Sequence, residues 1–155
     1  MLKPAAGVTF KSGPMSTTFE ITSDMVGGHY CIVRQTIAPG QLFWPHMHQN
    51  EDQVIVVLKG TLGVRVSDRE WSAGAGEIVH RPKGEPHTIW NGGDVPTEFI
   101  EITSPGVFEQ YFVAQAEAAA SGDAEKRAQL LKEWQISGVT GWDAELNARH
   151  GVKQG

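Results

Sequence analysis

Turn signals punctuate the first two thirds of this chain so closely that little except short strands fits between them. Glycine and proline recur through residues 1–106 at intervals of roughly eight to twelve residues, the spacing of an all-β sandwich or barrel. Between them lie runs rich in β-branched and aromatic side chains at 17–21, 29–37, 77–80, 88–90 and 98–102. The wholly apolar run 54–58 stops at Lys59-Gly60, so its length predicts a strand buried on both faces rather than a helix. Residues 63–66 and 68–71 read as a hairpin with Ser67-Asp68 near its turn. A sheet that curls into a barrel removes exposed edges, which favours closure.

Composition changes after Pro105-Gly106. Residues 108–135 are rich in Ala, Glu, Gln, Lys and Leu, all good helix formers. Ser121-Gly122-Asp123 breaks this run, and Asp123 is placed to cap a second helix through Leu130, Leu131 and Trp134. Gly138 and Gly141 interrupt again before a last helix from Trp142 to about Arg149. The 155 residues therefore read as a single domain, 1–155, with a barrel over about 15–105 and a helical tail over about 106–150. The net charge of -5 argues against nucleic acid as a partner. Cys31 is the single cysteine, so no intramolecular disulfide forms and a reducing, cytoplasmic compartment is expected. Residues 1–7 show no apolar leader, and no run reaches the length of a membrane span.

His46 and His48 stand one residue apart, so on an extended strand both imidazoles project from one face. The frame around them is Gly40, five residues, His46, one residue, His48, four residues, Gln53, six residues, Gly60. A second frame is Gly76, five residues, Pro82, one residue, Gly84, two residues, His87, three residues, Asn91. These two frames resemble the paired motifs of the cupin superfamily at every position but one, where Gln53 stands in place of the usual glutamate. The resemblance implies a jelly-roll β-barrel (the cupin double-stranded β-helix). It also implies one divalent metal held near the barrel mouth by His46, His48, Gln53 and His87. A less specific likeness, in residues 27–40 and the exit at 104–109, is to single-domain quercetin dioxygenase-like cupins. That likeness implies a homodimer.

Strand parity tests the assignment independently. If Gln53 points inward, so do Ile55 and Val57, while Asp52 points away. The inward set adds Trp44 and Ile89, giving a mostly apolar substrate pocket of Trp44, Ile55, Val57 and Ile89 around convergent polar groups. Trp44 serves equally as core packing at the rim. Pro82 and Gly84 set the turn that delivers His87. Glu51 has the inward parity but sits in the turn 49–52; it is the candidate general base, ahead of Tyr30. His29, His80 and His150 match neither frame and read as surface or edge residues.

Gln53 alters the expected chemistry. An amide oxygen is an uncharged ligand and cannot accept a proton as a general base, so a bound ion keeps more of its positive charge. Fe, Mn, Co, Ni and Zn all suit such ligands. The substrate is expected to be a small oxygenated molecule, flavonol- or diketone-like. The reaction classes are a dioxygenase (an oxidoreductase), a Lewis-acid isomerase, cyclase or lyase, and a binding module without catalysis. The quercetinase-like dioxygenase is placed first on the motif and tail context.

Overall fold

The computed structural model describes residues 4–155 and shows two packed sheets, antiparallel except for one short parallel pairing at the C-terminal side, with helices beside them. Residues 1–3, part of the stretch read above as lacking a leader, lie outside the described residues. In chain order the first strands are β1 (Thr9–Ser12), β2 (Met15–Ile21), β3 (Cys31–Ile37), β4 (Gln41–Leu42), β5 (His46–His48) and β6 (Asp52–Lys59). They are followed by β7 (Thr61–Val66), β8 (Arg69–Gly74), β9 (Ile78–Arg81), β10 (His87–Trp90) and β11 (Thr97–Ser104). The tail holds α1 (Glu109–Ser121), α2 (Ala124–Glu133), β12 (Ile136–Gly138), α3 (Trp142–His150) and β13 (Lys153–Gln154).

One sheet has the order β1-β2-β3-β11-β6-β9. In the other, β10 pairs with β4 and β5 through Trp90↔Leu42 and His87↔His46, and with β7 on its other side. The β7–β8 hairpin turns at Ser67-Asp68 as the sequence predicts, with Val66 opposite Arg69. The pairings give two sheets of a sandwich, not the single closed ring that edge protection suggested. The tail is not purely helical either. Its β12 and β13 join the second sheet against β5 and β4, because the last turns return the chain to an open edge.

Alternation decides which side chains enter the interior. Gln53, Ile55 and Val57 are buried, whereas Val54, Val56 and Leu58 are half-buried, so the apolar run 54–58 is fully covered on one face only. Inward residues of both sheets meet in a core of Met15, Ile37, Ile55, Val57, Leu62, Val64, Val66, Ala73, Val79, Ile89 and Phe99. The absence of a side chain at Gly63 is required, because a Cβ there would lie 2.1 Å from the Trp90 ring on the facing strand. In the tail, the Asp123 carboxylate accepts from the Lys126 amide at 2.9 Å, capping α2 as expected. Phe108, Tyr111 and Ile136, with Trp44, Phe112 and Trp134 against them, pack the tail over the mouth of the sandwich.

Candidate metal centre

The frame residues serve the site as turn makers before any ligand is considered. Gly84 adopts φ +77°, and its amide donates to the His48 carbonyl at 2.7 Å, tying the turn before His87 to the strand carrying the other two imidazoles. Asn91 donates to the carbonyls of Ile37 and Val95 and accepts from Gly93, which latches the far end of β10. His87 lies directly opposite His46 in the β10–β5 pairing, so two ligands from distant parts of the sequence share one register position.

His46, His48 and His87 converge, with one ligand nitrogen of each lying within 4.8 Å of the others. All three are buried, at 4%, 2% and 0% exposure. Each ring is oriented through Nδ1: that of His46 on the Trp44 carbonyl at 2.7 Å, His87 on the Glu85 carbonyl at 3.1 Å, and His48 on the Glu51 carboxylate at 3.1 Å. A carbonyl can only accept, so Nδ1 carries the proton in His46 and His87, and Nε2 presents a lone pair. Burial holds all three imidazoles in the neutral form. His48 is pulled down to about 3 by burial and the Arg81 guanidinium. Burial and then the neighbouring imidazoles also lower His46 and His87 well below the usual imidazole range.

Neutral imidazoles fixed through Nδ1 are the ligand form of histidine. The Nε2 atoms of His46 and His48 stand 3.0 Å apart, and the Nε2 of His87 has no hydrogen-bond partner. With the His46 proton on Nδ1, its Nε2 either accepts a hydrogen bond from His48 Nε2 or, when His48 carries its proton on Nδ1 towards Glu51, shares a cation with it. Two nitrogens on one ion, each bonded at about 2.1 Å, have a similar separation. The donor set therefore fits a divalent transition metal.

Gln53 belongs to the same cavity. Its amide nitrogen donates to Glu101 at 3.1 Å and to Thr103 at 3.4 Å, leaving its buried carbonyl oxygen without a partner. Glu101 in turn pairs with Arg81, both 4% exposed or less. This buried ion pair went unread in the sequence. Its signal was parity: Glu101 falls on the same face as Phe99, and Arg81 on the same face as Val79. Glu51 is 2% exposed, and burial raises its carboxyl to about 7. It stands behind His48 on Nδ1 and is not among the cavity-lining residues, so it does not occupy the position of a base facing substrate.

The enclosed chamber is small, about 30 Å³, and is lined by Trp44, His46, His48, Gln53, Ile89, Arg81, Glu101, Gln35 and Thr17 among others. Trp44 stacks on His46 with ring centroids 4.6 Å apart. Ile55 and Val57, expected in the pocket, instead lie fully buried in the apolar core and do not line it, since the chamber does not extend that far between the sheets. Phe108, Tyr111, Phe112, Gln115 and Ile136 of the tail close the chamber, and none was anticipated as a site residue. Ser12, Phe43, Trp44 and Gln115 also line an outer space of about 250 Å³, which adjoins the chamber there. Tyr30, His29, His80 and His150 are all exposed. Cys31 is buried, and burial beside Glu101 pushes its thiol up to about 12, leaving it unreactive.

Residues 33–103 match the Cupin_2 family (Cupin domain). The chain is 30% identical over 91 residues to mannose-1-phosphate guanylyltransferase ManC of Salmonella typhimurium, covering 59% of this chain and 19% of that protein. It is 32% identical over 69 residues to the tetracenomycin polyketide synthase protein TcmJ of Streptomyces glaucescens, covering 44% of this chain and 46% of that one. The chain thus spans less than half the length of either relative. Among solved structures it resembles a predicted oxalate decarboxylase from Thermotoga maritima (TM-score 0.56, 20% identity, 59% of this chain and 80% of that one). It also resembles the polyketide cyclase RemF from Streptomyces resistomycificus (TM-score 0.54, 22% identity, 67% and 80%). The family match covers a little under half of the chain, and the solved structures share its fold. Phe108, Tyr111 and Ile136, which help enclose the chamber, lie outside the matched segment.

Proposed function

We propose that this protein is a metal-dependent enzyme in which His46, His48 and His87 hold one divalent ion and Gln53 offers its carbonyl oxygen as a fourth ligand. The observation that carries the reading is the unsatisfied set of acceptors, His87 Nε2 and Gln53 Oε1, beside two Nε2 atoms in mutual contact. Bound there, the ion supplies Lewis-acid polarisation of a carbonyl or enolate oxygen. The chain's own groups do the remainder. The backbone carbonyls of Trp44 and Glu85, with the Glu51 carboxylate, fix the three rings. Glu101, itself held by Arg81, fixes the Gln53 amide so that its oxygen is free. Trp44, Phe108 and Tyr111 keep bulk water out.

A small oxygenated substrate such as a hydroxyketone or diketone suits this site. The absence of a carboxylate at position 53 and the placement of Glu51 behind His48 favour Lewis-acid isomerase, cyclase or lyase chemistry. Likeness to a polyketide cyclase agrees with that choice. The dioxygenase remains the second reading, favoured by a three-imidazole donor set able to hold a redox-active ion. A homodimer in the cytoplasm completes the proposal. Half-buried Val54, Val56, Ile100 and Ile102, with Ile78 at 69% exposure, give the outer face of the first sheet an apolar surface to cover.

Elemental analysis of untagged protein tests the core of this reading. About one transition-metal ion per chain is expected, lost in His87→Ala, and light scattering of the same sample should give twice the 16.9 kDa chain mass. Metal-free protein that cannot be loaded would refute the metal site. Turnover of a diketone that proceeds without oxygen selects the Lewis-acid reading, and strict dependence on oxygen selects the dioxygenase.

A further inference from the structure

The chamber has a second polar wall that the metal ligands do not use. On β3, Gln35 is 4% exposed and points inward beside Thr17 of β2, its register partner. Its amide nitrogen donates to the Thr17 hydroxyl at 3.1 Å, and its carbonyl oxygen, fully buried, has no partner. Both residues line the chamber together with His46, His48 and Gln53. A buried acceptor without a donor costs about 1–3 kcal/mol, and no neighbouring side chain of the fold uses this one. β3 lies two strands from β6 with β11 between them; Gln35 stands opposite Phe99 and Gln53 opposite Thr103, so their Cα atoms are about 16 Å apart and the two side chains enter the chamber from separate parts of the sheet.

We propose that Gln35 is a specificity-determining residue whose carbonyl oxygen accepts a hydrogen bond from a hydroxyl of the substrate, with Thr17 holding its amide in place. This deepens the function proposed above and rests on the metal site defined there. The substrate class is then a small neutral molecule with a metal-binding hydroxyketone or enediol at one end and a free hydroxyl further along. A carboxylate or phosphate in the hydroxyl's position would set oxygen against oxygen. The Arg81 charge is neutralised by Glu101 at Nη2, and its Nε–H, which has no partner, offers one donor to a neutral substrate oxygen. The accepting atoms Gln35 Oε1, Gln53 Oε1 and His87 Nε2 together ask the ligand for donors or a cation.

Three pyranone chelators probe this directly, since they share one hydroxyketone and differ in a single substituent. Kojic acid carries –CH2OH, allomaltol –CH3 and comenic acid –COO⁻. On zinc-loaded protein, titration calorimetry should show kojic acid binding about 10-fold or more tightly than allomaltol, with comenic acid weakest. Gln35→Met should remove the preference while leaving allomaltol's affinity within about twofold. Equal binding of kojic acid and allomaltol to the unaltered protein overturns the inference whether or not the variant folds, as does a preference for comenic acid. Zinc uptake without pyranone binding also overturns it while leaving the metal site standing. Failure to take up zinc sinks both.

Discussion

The space between the two sheets has an apolar region and a polar region built on the same strands. β6 contributes Ile55 and Val57 to one and Gln53 to the other; β11 contributes Phe99 and then Glu101 and Thr103; β9 Val79 and then Arg81; β10 Ile89 and then His87. In the apolar region every inward group is satisfied by packing alone. In the polar region groups depend on named partners, and three acceptors, His87 Nε2, Gln53 Oε1 and Gln35 Oε1, and one donor, Arg81 Nε, still have none. A structure that needed only to fold would have extended the first pattern. Under the function proposed above, the unsatisfied atoms are where stability yields to ligand binding.

The sharpest way to break this comparison is to remove one partner from each region. Arg81→Met leaves the Glu101 carboxylate buried and uncompensated, and should cost about 3–5 kcal/mol. Phe99→Ala should cost a similar amount, about 3–5 kcal/mol, by opening a cavity. The difference lies in rescue. Adding Glu101→Gln to Arg81→Met should restore most of the loss in urea unfolding, because the cost is an unpaired charge. If the double variant is as unstable as the sum of its single changes, the polar region is not a network of paired charges.

Acid should separate the regions next. The imidazole pKa values are depressed in the folded state, so the unfolded chain takes up protons that the folded chain does not. Their stability is present above about pH 6.5 and is lost as pH falls. Glu51 acts in the opposite sense. Its raised pKa lets the folded state gain protons between about pH 7 and the usual carboxyl range. Three imidazoles against one carboxyl should leave metal-free protein losing about 2.5 kcal/mol between pH 6 and pH 5. Urea melts across that window check the sign, and a flat profile would show that the imidazoles are not held neutral.

The smallest expected effect sharpens the role of Glu51. As the group that orients His48, its replacement in Glu51→Ala should weaken zinc affinity by about 10–100-fold, with zinc still bound at one per chain. Competition with a chromophoric chelator reads this. Unchanged affinity would mean that the Glu51–His48 contact does not tune the ligand.

Parity and turn chemistry made much of this molecule legible beforehand. The spacing of His46, His48 and His87 within their glycine and proline frames, the inward direction of Gln53, and the cap at Asp123 all follow from local rules. What stayed hidden is set by strand order. Arg81 meets Glu101 only because β11, β6 and β9 lie side by side, and nothing in either residue's neighbourhood specifies that. The same holds for Gln35 and Thr17. β12 and β13, at three and two residues, are too short to show a period and exist only because β5 and β4 offer an open edge. Glu51 was placed on the right face, but the turn that carries it decided which side of His48 it reaches.

The pairing of β12 with β5 also governs the order of events during synthesis. Ile136 lies opposite His48 and Gly138 opposite His46, so the strand bearing two imidazoles gains its outer neighbour only after the chain has grown past residue 138. A ribosome-bound nascent chain carrying all three histidines therefore still lacks the segment that seals them in. Enclosure of the three imidazoles follows synthesis of β12, and a chain ending before residue 136 would leave them open to solvent.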